Sequence, residues 1–210
     1  NDARFSFFSR AVLEFAKLID FVPDVIHCHD WQTGLVPAYL KTLYAQDAFF
    51  KSTSTLFTIH NLAYQGIFPK RSLAVTGLGS DTFTPEFLEF YDQVCFLKSG
   101  LTFSDRLTTV SPGYAREIQS ESRFGCGMEG VLKSRSKDLG GILNGLDEKT
   151  WDPATDPHLK AHFSARNQDG FIFRSPANIE HAVTDYSLFF QTHHRILMEK
   201  LEVLRFDENF

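Results

Sequence analysis

The sequence has few cysteines, no basic cluster and no long apolar run, and each shortage excludes a class of protein. The three cysteines are odd in number and share no CxxC spacing, which favours a reducing compartment over a disulfide framework. The net charge is −5 and lysine and arginine form no stripe, so no nucleic-acid partner is expected. No apolar run reaches about 18 residues, so no membrane span is predicted.

Glycine-rich and nucleophile motifs are also missing. Gly77 and Gly79 lie in a predicted loop, and Thr82 stands where the third glycine of GxGxxG would belong. The chain contains no GxxxxGK[ST] and no GxSxG. The cysteines and histidines do not form a convincing nucleophile pair either.

The composition that remains is that of a globular protein with a substantial core. Of the 210 residues, 43% are hydrophobic and 22% are charged, which suits one domain, or one domain with an appendage. Phenylalanine is frequent, with 22 copies, and this favours dense apolar packing over disorder.

The apolar pattern predicts strands that alternate with helices. An amphipathic helix is predicted over residues 5–20 because apolar residues recur there at helical spacing. The strand candidates are residues 25–29, 55–59, 106–110 and 141–143, and the further helices of this part are residues 34–44 and 113–119. Such alternation predicts an α/β fold, with a parallel sheet that helices cover on both faces.

Three segments lack this alternation. Residues 61–85 show little periodicity and many turn residues, which predicts a functional or mobile loop. Residues 151–168 contain two Asp-Pro pairs and predict a linker. Beyond them, Ser175 and Pro176 open a long predicted amphipathic helix.

Each predicted strand ends in polar residues that a core would not select. They are His29, Asp30 and Trp31 after the first strand, His60 and Asn61 after the second, Ser111 after the third, and Asn144 with Gly145 after the fourth. In open parallel sheets, ligands bind beyond the carboxyl ends of the strands. Neutral donors and acceptors, one carboxylate and an aromatic ring would suit a hydroxyl-rich ligand such as a sugar.

These residues also have structural interpretations. Ser111 and Asp30 can cap the helices that follow them, and Asn144 with Gly145 can form a turn. His27 and His29 share one face of a predicted strand, which would allow a zinc site. No further ligands stand at a useful spacing, so no metal is predicted.

Several segments resemble one known family. Residues 24–35 are similar to its D-V-x-H-x-H-D-W segment, and residues 57–66 match T-I-H-N-L-A-Y-Q-G almost letter for letter. Agreement in order and spacing continues through residues 109–117, 127–130, 143–147 and 151–157. By these motifs the chain resembles the bacterial-type, ADP-glucose-dependent glycogen and starch synthases over about residues 1–166.

The resemblance implies the N-terminal half of a two-domain GT-B fold, with a Rossmann-like sheet. Residues 1–166 would form the catalytic domain without its first strand, and residues 167–210 a helical tail like the far end of the second domain. The family's Lys-Gly-Gly loop and the ADP-holding part of its second domain have no counterpart here. An incomplete, weakly active or inactive enzyme is therefore expected, with self-association through exposed apolar surface.

The resemblance also implies a chemistry. These hexosyltransferases move glucose from ADP-glucose to the non-reducing end of an α-1,4-glucan and retain the anomeric configuration. The implied catalytic residues are His60 and Asp30, and the implied substrate-binding residues are Asn61, Asn144, Trp31, Tyr64 and Gln65. A cytoplasmic protein without cofactor, metal, nucleic acid or membrane is expected.

Two other interpretations remain open. The same crevice could bind oligosaccharide without transfer, as a non-catalytic glucan-binding or assembly module. A different GT-B transferase, such as a sucrose-synthase relative, is the third interpretation, and the match over residues 60–66 counts against it. The choice between ADP-glucose and UDP-glucose stays open, because the base-reading residues would lie in the second domain.

Overall fold

The computed structural model describes residues 1–120, 122–147, 149–159 and 162–164. The chain divides into two units, Asn1–Asn144 and Gly145–Phe210. The predicted boundary at residue 166, the tail 167–210 and the helix after Pro176 lie outside the described residues. Within the predicted linker, residues 151–159 form turns.

Helices and strands alternate through the first unit. The helices are α1 (Asp2–Leu18), α2 (Leu35–Lys41), α3 (Ser72–Thr76), α4 (Phe96–Phe103), α5 (Pro112–Ser120), α6 (Ser122–Gly125) and α7 (Glu129–Ser134). The strands are β1 (Val25–His29), β2 (Ser54–Ile59), β3 (Ile67–Pro69), β4 (Glu89–Phe90), β5 (Gln93–Cys95), β6 (Arg106–Thr109) and β7 (Leu139–Gly141). Short 3₁₀ turns lie at Trp31–Thr33, Ala48–Phe50 and Ser80–Thr82.

The main sheet is parallel, with the spatial order β1-β2-β6-β7. The first three strands lie where the apolar runs predict them, to within one residue at each end. The predicted α/β fold with a parallel sheet flanked by helices is confirmed.

The fourth strand begins two residues earlier than the apolar pattern predicts, because two of its three residues are glycines. Gly140 and Gly141 pair with Thr108 and Thr109. A Cβ on Gly141 would lie 2.2 Å from the carbonyl oxygen of Ser111, so a β-branched residue does not fit there. Two glycines in a strand of three residues leave too few apolar side chains for the strand to be recognised in the sequence.

One face of the main sheet forms the centre of the core. Cys28, Phe57 and Leu107 lie opposite one another on β1, β2 and β6, and each is at most 1% exposed. Helix α4 approaches this face so closely that a Cβ on Gly100 would lie 2.2 Å from the Phe57 ring. The other face carries polar side chains that are more exposed.

The segment 61–85, predicted as an irregular loop, contains β3 and α3, so that prediction is wrong in part. Strand β3 belongs to a second, antiparallel sheet with the order β3-β5-β4. Its strands have only two or three residues each, which is too short to show a period. Helix α4 was also not predicted, because Phe96 through Leu101 are all buried and leave no polar face.

Candidate functional site

The parallel pairing brings the carboxyl ends of β1, β2 and β6 to one edge of the sheet. Asp30 follows β1 directly and His60 follows β2 directly, so both predicted catalytic residues stand at this edge. Asn144 lies on the same edge beyond β7, which β6 separates from β2. The predicted clustering at the strand ends therefore has a structural basis.

Asp30 and His60 are in direct contact. The backbone N–H of His60 donates to Oδ1 of Asp30 at 2.7 Å, and the backbone N–H of Asp30 donates to the carbonyl oxygen of Thr58 at 3.0 Å. The alternative in which Asp30 caps the following helix is wrong, because its side chain makes no capping bond there. Oδ2 has no hydrogen-bond partner among the described residues and is available to a ligand hydroxyl.

Asp30 has an unusual backbone conformation. Its φ of 55° and ψ of −174° fall in a region that residues other than glycine rarely adopt. This turn is what aims the carboxylate of β1 across to the end of β2. Strain of this kind at a strand end, in a residue that bonds across to the neighbouring strand, favours a functional constraint.

Three histidine rings lie in a row beside this contact. The ring centroids of His27 and His29 are 4.1 Å apart, and Nδ1 of His29 lies 3.0 Å from Nε2 of His60. Partial burial lowers the pKa of His29, and the neighbouring His27 and His60 lower it further, against a smaller opposing effect of Asp30. For His27 the sequence pattern suggests metal binding and no other role.

We expect stability to decline as the pH falls below 6.5, the ordinary pKa of histidine. Since the pKa of His29 is lowered in the folded chain, the unfolded chain binds a proton in this window that the folded chain does not. The stability that neutral His29 contributes is fully present above the pKa of histidine in the unfolded chain. It is lost as the pH falls towards the lower pKa of His29 in the folded chain. Urea unfolding at about pH 7.5 and about pH 5.5 measures the difference.

Substitution identifies the group responsible for this pH dependence. His29→Asn should show a smaller loss between the two pH values, because the titrating ring is gone. His158→Ala removes an exposed histidine of the second unit and should keep the original dependence. Equal pH dependence in the unaltered chain and in His29→Asn would contradict the assignment.

Two threonines extend the row across the sheet. Oγ1 of Thr58 lies 2.7 Å from Nε2 of His27 and 2.6 Å from Oγ1 of Thr108. Sequence reasoning missed these threonines. The available signal was their register, since Thr58 pairs with His29 on one side and with Thr108 on the other.

The predicted asparagines differ in their surroundings. Oδ1 of Asn61 accepts from the backbone N–H of Ala63 at 3.0 Å, so part of its side chain shapes the turn after β2. Its amide group stays exposed at the strand end. Asn144 is exposed and makes no hydrogen bond to the described residues, which leaves its side chain available to a ligand.

Trp31 lies in the 3₁₀ turn after β1 and packs against protein. Its ring centroid is 4.8 Å from that of Phe5 and 5.8 Å from that of Phe68. A Cβ on Gly66 would lie 2.4 Å from the indole, so glycine is required where the loop after β2 crosses it. These contacts position the two strand-end loops against each other.

Tyr64 and Gln65 point to different environments. Tyr64 is 67% exposed, whereas Gln65 is 8% exposed. Nε2 of Gln65 donates to the carbonyl oxygen of Cys126 at 2.9 Å, and the backbone oxygen of Gln65 accepts from the N–H of Leu97 at 3.0 Å. In this structure Gln65 ties the loop after β2 to the residues between α6 and α7.

Gln65→Ala is expected to lower the free energy of unfolding by about 1–3 kcal/mol, because it leaves a carbonyl oxygen without its buried partner. Gln119→Ala is the matched control, since that side chain also donates to a carbonyl but is half-buried in α5. Chemical denaturation should show the smaller loss for the control. An equal or larger loss in Gln119→Ala would contradict the role given to Gln65.

The remaining predictions concern Ser111, metal and membrane. Oγ of Ser111 accepts from the backbone N–H of Tyr114 at 2.9 Å, which confirms the predicted N-cap of α5. In the part of the chain that the structure describes, no group of three or more histidine, cysteine, aspartate or glutamate side chains is arranged to hold a metal ion. None of the described helices combines the length and apolar character needed to cross a membrane.

Comparison with known proteins decides the family. The family described as "Starch synthase catalytic domain" matches residues 1–134, which is more than half of the 210 residues. The chain belongs to this family. The resemblance seen in the strand-end motifs is therefore confirmed, and those motifs at residues 57–66 and 109–117 lie inside the matched region.

Relatives of this starch synthase family align with most of the chain. A glycogen synthase from Elusimicrobium minutum is 54% identical over 157 residues, which is 75% of this chain and 33% of the relative. Glycogen synthase 2 from Geobacter sulfurreducens is 53% identical over 166 residues, 79% of this chain and 34% of the relative. The chain thus spans about a third of the length of these relatives.

A solved structure shares the fold. The catalytic domain of starch synthase IV from Arabidopsis thaliana, bound to ADP and acarbose, superposes with a TM-score of 0.65 at 41% identity. The match covers 80% of this chain and 35% of that structure. The α/β unit described above therefore corresponds to one part of a larger catalytic domain.

Proposed function

We propose that this chain provides the glucose-binding side of a glucosyltransferase active site. The reaction is transfer of glucose from ADP-glucose to the non-reducing end of an α-1,4-glucan, with retention of configuration. The observation that carries the proposal is the contact between Asp30 and His60 at the carboxyl edge of the sheet. Membership of the starch synthase family and the ADP and acarbose bound to the Arabidopsis relative support it.

The chemistry follows from the groups at that edge. The bond from the glucose C1 to the ADP phosphate oxygen breaks and leaves its electron pair on ADP, a bond from C1 to the acceptor 4-hydroxyl oxygen forms, and the hydroxyl proton passes to the departing phosphate oxygen. Positive charge develops at C1 on the way, and a fixed carboxylate nearby stabilises it. Asp30 would hold glucose hydroxyls through Oδ2, and His60 would lie beside the transferred sugar.

The remaining contacts would come from other residues of the strand-end loops and from the rest of a longer protein. Asn61, Asn144 and Tyr64 are exposed and would complete the sugar pocket, with Trp31 and Gln65 shaping its loops. The nucleotide would be held by the part of the protein that corresponds to the rest of the longer relatives. We propose, as the sequence predicts, that residues 1–166 form the catalytic part and residues 167–210 its tail.

The proposal is tested with a chimeric synthase, the Elusimicrobium minutum enzyme in which the matched segment is replaced by the corresponding residues of this chain. The chimeric synthase should incorporate labelled glucose from ADP-glucose into glycogen. His60→Ala should lower the rate about a hundredfold, as loss of a preorganised group at the reacting centre does. A folded chimera without transfer, beside an active parent enzyme, would contradict the proposal.

The second candidate is a non-catalytic glucan-binding module. It is favoured by the exposed amides of Asn61 and Asn144 and the exposed Tyr64 ring, which can hold a sugar without catalysing transfer. Retention of the unmodified 210-residue chain on immobilised glycogen, without incorporation of labelled glucose, would support this candidate.

The identity of the donor is tested by competition in the chimeric synthase. Unlabelled UDP-glucose that suppresses the incorporation of labelled glucose better than unlabelled ADP-glucose does would indicate another donor.

We also propose a cytoplasmic location and self-association. Cys28, Cys95 and Cys126 are free, which suits a reducing compartment. Apolar side chains along α1 and up to the start of β1, an edge strand of the sheet, are between 46% and 82% exposed: Phe7, Phe8, Phe15, Leu18, Ile19, Phe21, Val22 and Val25. Such a patch next to a strand with one open edge favours association with another surface.

A further inference from the structure

The row of rings and hydroxyls across the sheet is not used by the proposed chemistry. It runs from Thr108 to Thr58 and from there to His27, whose ring contacts that of His29 at a tilt of 36°, and it ends at His60. Each step is a contact of hydrogen-bond length or a ring-to-ring contact. Only its last member stands at the candidate active site.

We propose that His29 is a positioning residue, which fixes the orientation and the proton arrangement of the His60 ring at the site of glucosyl transfer. This inference rests on the proposed function only in taking the His60 ring to lie at the site of glucosyl transfer. The contact between the two rings, called the histidine pair below, is a feature of the structure in either case.

His60 depends on this contact for its ring orientation. Among the described residues, Nδ1 of His29 is the only hydrogen-bond partner of the His60 imidazole. The backbone of His60 is held separately by the Asp30 carboxylate, so the pair governs the ring and not the loop. Without its partner the ring could rotate about its side-chain bonds, since the strand end is open.

His29 is itself held from two sides. Its ring packs against that of His27, with the centroids 4.1 Å apart, and Nε2 of His27 lies 2.7 Å from the Thr58 hydroxyl. Its backbone carbonyl accepts from the Thr33 hydroxyl at 2.9 Å, which links it to the turn after β1. A ring supported in this way can orient another, which is the role that outer groups perform in preorganised sites.

The pair also determines where protons lie. A bond between Nδ1 of His29 and Nε2 of His60 needs one nitrogen that carries a proton and one that does not. A proton on both facing nitrogens removes the bond and places two N–H groups in contact. The tautomer of neutral His60 is therefore tied to that of His29: a bridging proton on Nε2 of His60 leaves its Nδ1 bare, and one on Nδ1 of His29 leaves the His60 proton on Nδ1.

The surroundings of the pair contain few other charges. His27 and Asp30 are the titratable groups that affect it from β1 and its end. Strands β2 and β6 contribute threonine hydroxyls beside the row. Arg106, further along β6, is ion-paired with Asp138. The proton arrangement of the pair is thus set mainly by the pair itself.

The test uses three variants of the 210-residue chain and nitrogen NMR of its histidine rings. His29→Phe keeps a ring that can stack on His27 but removes Nδ1. His29→Asn places an amide where Nδ1 stood, and His29→Gln places it one bond further out. The readouts are the tautomer and the titration midpoint of His60, with His158→Ala as the control for a remote histidine.

We expect His60 to show a single tautomer in the unaltered chain, a tautomer mixture in His29→Phe and His29→Gln, and recovery in His29→Asn. His60 signals that are identical in the unaltered chain, His29→Phe and His29→Gln would overturn the proposal. Should His29→Phe not fold, the comparison between the asparagine and glutamine variants decides, and equal His60 behaviour in these two would also overturn it.

The link to transfer is measured separately in the chimeric synthase. His29→Gln should lower kcat about tenfold with little change in KM, the size expected when one orienting hydrogen bond is lost, and His29→Asn should restore most of it. Equal kcat in the chimeric synthase, its His29→Gln variant and its His29→Asn variant would show that His29 does not affect transfer. If the chimera transfers no glucose at all, the proposed function fails, while the NMR result still decides whether His29 positions His60.

Discussion

Asp30→Gly is expected to lower the rate of glucosyl transfer at least about a hundredfold while leaving the free energy of unfolding within about 1 kcal/mol of the original. The carboxylate that would bind the sugar is lost, which removes the activity. The lost bond to the His60 N–H costs stability, but glycine adopts the φ of 55° without strain and offsets that cost. Transfer is measured in the chimeric synthase and stability by urea denaturation.

Two controls separate the carboxylate from the backbone at Asp30. Asp30→Asn keeps an oxygen for the His60 N–H but not the charge, so it should retain the fold and still lose most transfer. Asp20 also has a positive φ, of 52°, and is exposed, so Asp20→Gly should raise stability slightly without changing transfer. Transfer by Asp30→Gly at the original rate would remove Asp30 from the mechanism.

Gly34→Ala is expected to destabilise the first unit by about 3 kcal/mol or more, and to leave little folded protein. A Cβ at this position would lie 1.9 Å from the carbonyl oxygen of Phe96 and 2.6 Å from its carbonyl carbon. Both are backbone atoms at the start of α4, so no side-chain movement can relieve the clash. The backbone at Gly34, with φ −60° and ψ −21°, would otherwise accept alanine, so the clash alone decides.

Gly130→Ala is the matched control for this substitution. Gly130 lies in α7, and a Cβ there would meet nothing within 4 Å. Alanine should therefore raise stability by about 0.5–1 kcal/mol through its higher helix propensity. Thermal or urea unfolding of the two variants compares them directly, and a mild effect of Gly34→Ala would show that α2 and α4 can move apart.

The sequence predicts the candidate site better than it predicts the secondary structure around that site. Strands β1 and β2 are continuous apolar or β-branched runs, so their ends could be found, and the rule for parallel sheets then places Asp30 and His60 together. The antiparallel sheet could not be predicted, because strands of two or three residues carry no period. Helix α4 carries none either, since its first six residues are buried on all sides.

Features of the site that depend on tertiary contacts were also beyond sequence reasoning. The positive φ of Asp30 accompanies a hydrogen bond from its carboxylate to the end of β2, a tertiary contact that no sequence pattern indicates. The alternation along β1 places His27 and His29 on one face, but the contact of His27 with Thr58 needs the register between two strands distant in sequence. Pattern predicts which residues share a face and not what stands opposite them.

The most direct test of the central claim is a crystal structure of the chimeric synthase with ADP-glucose or an inert analogue. The account predicts the glucose ring at the carboxyl edge of β1 and β2, with a sugar hydroxyl hydrogen-bonded to Oδ2 of Asp30 and the His60 ring beside the sugar. A glucose unit bound away from this edge, with both residues untouched in an enzyme that transfers glucose, would contradict it.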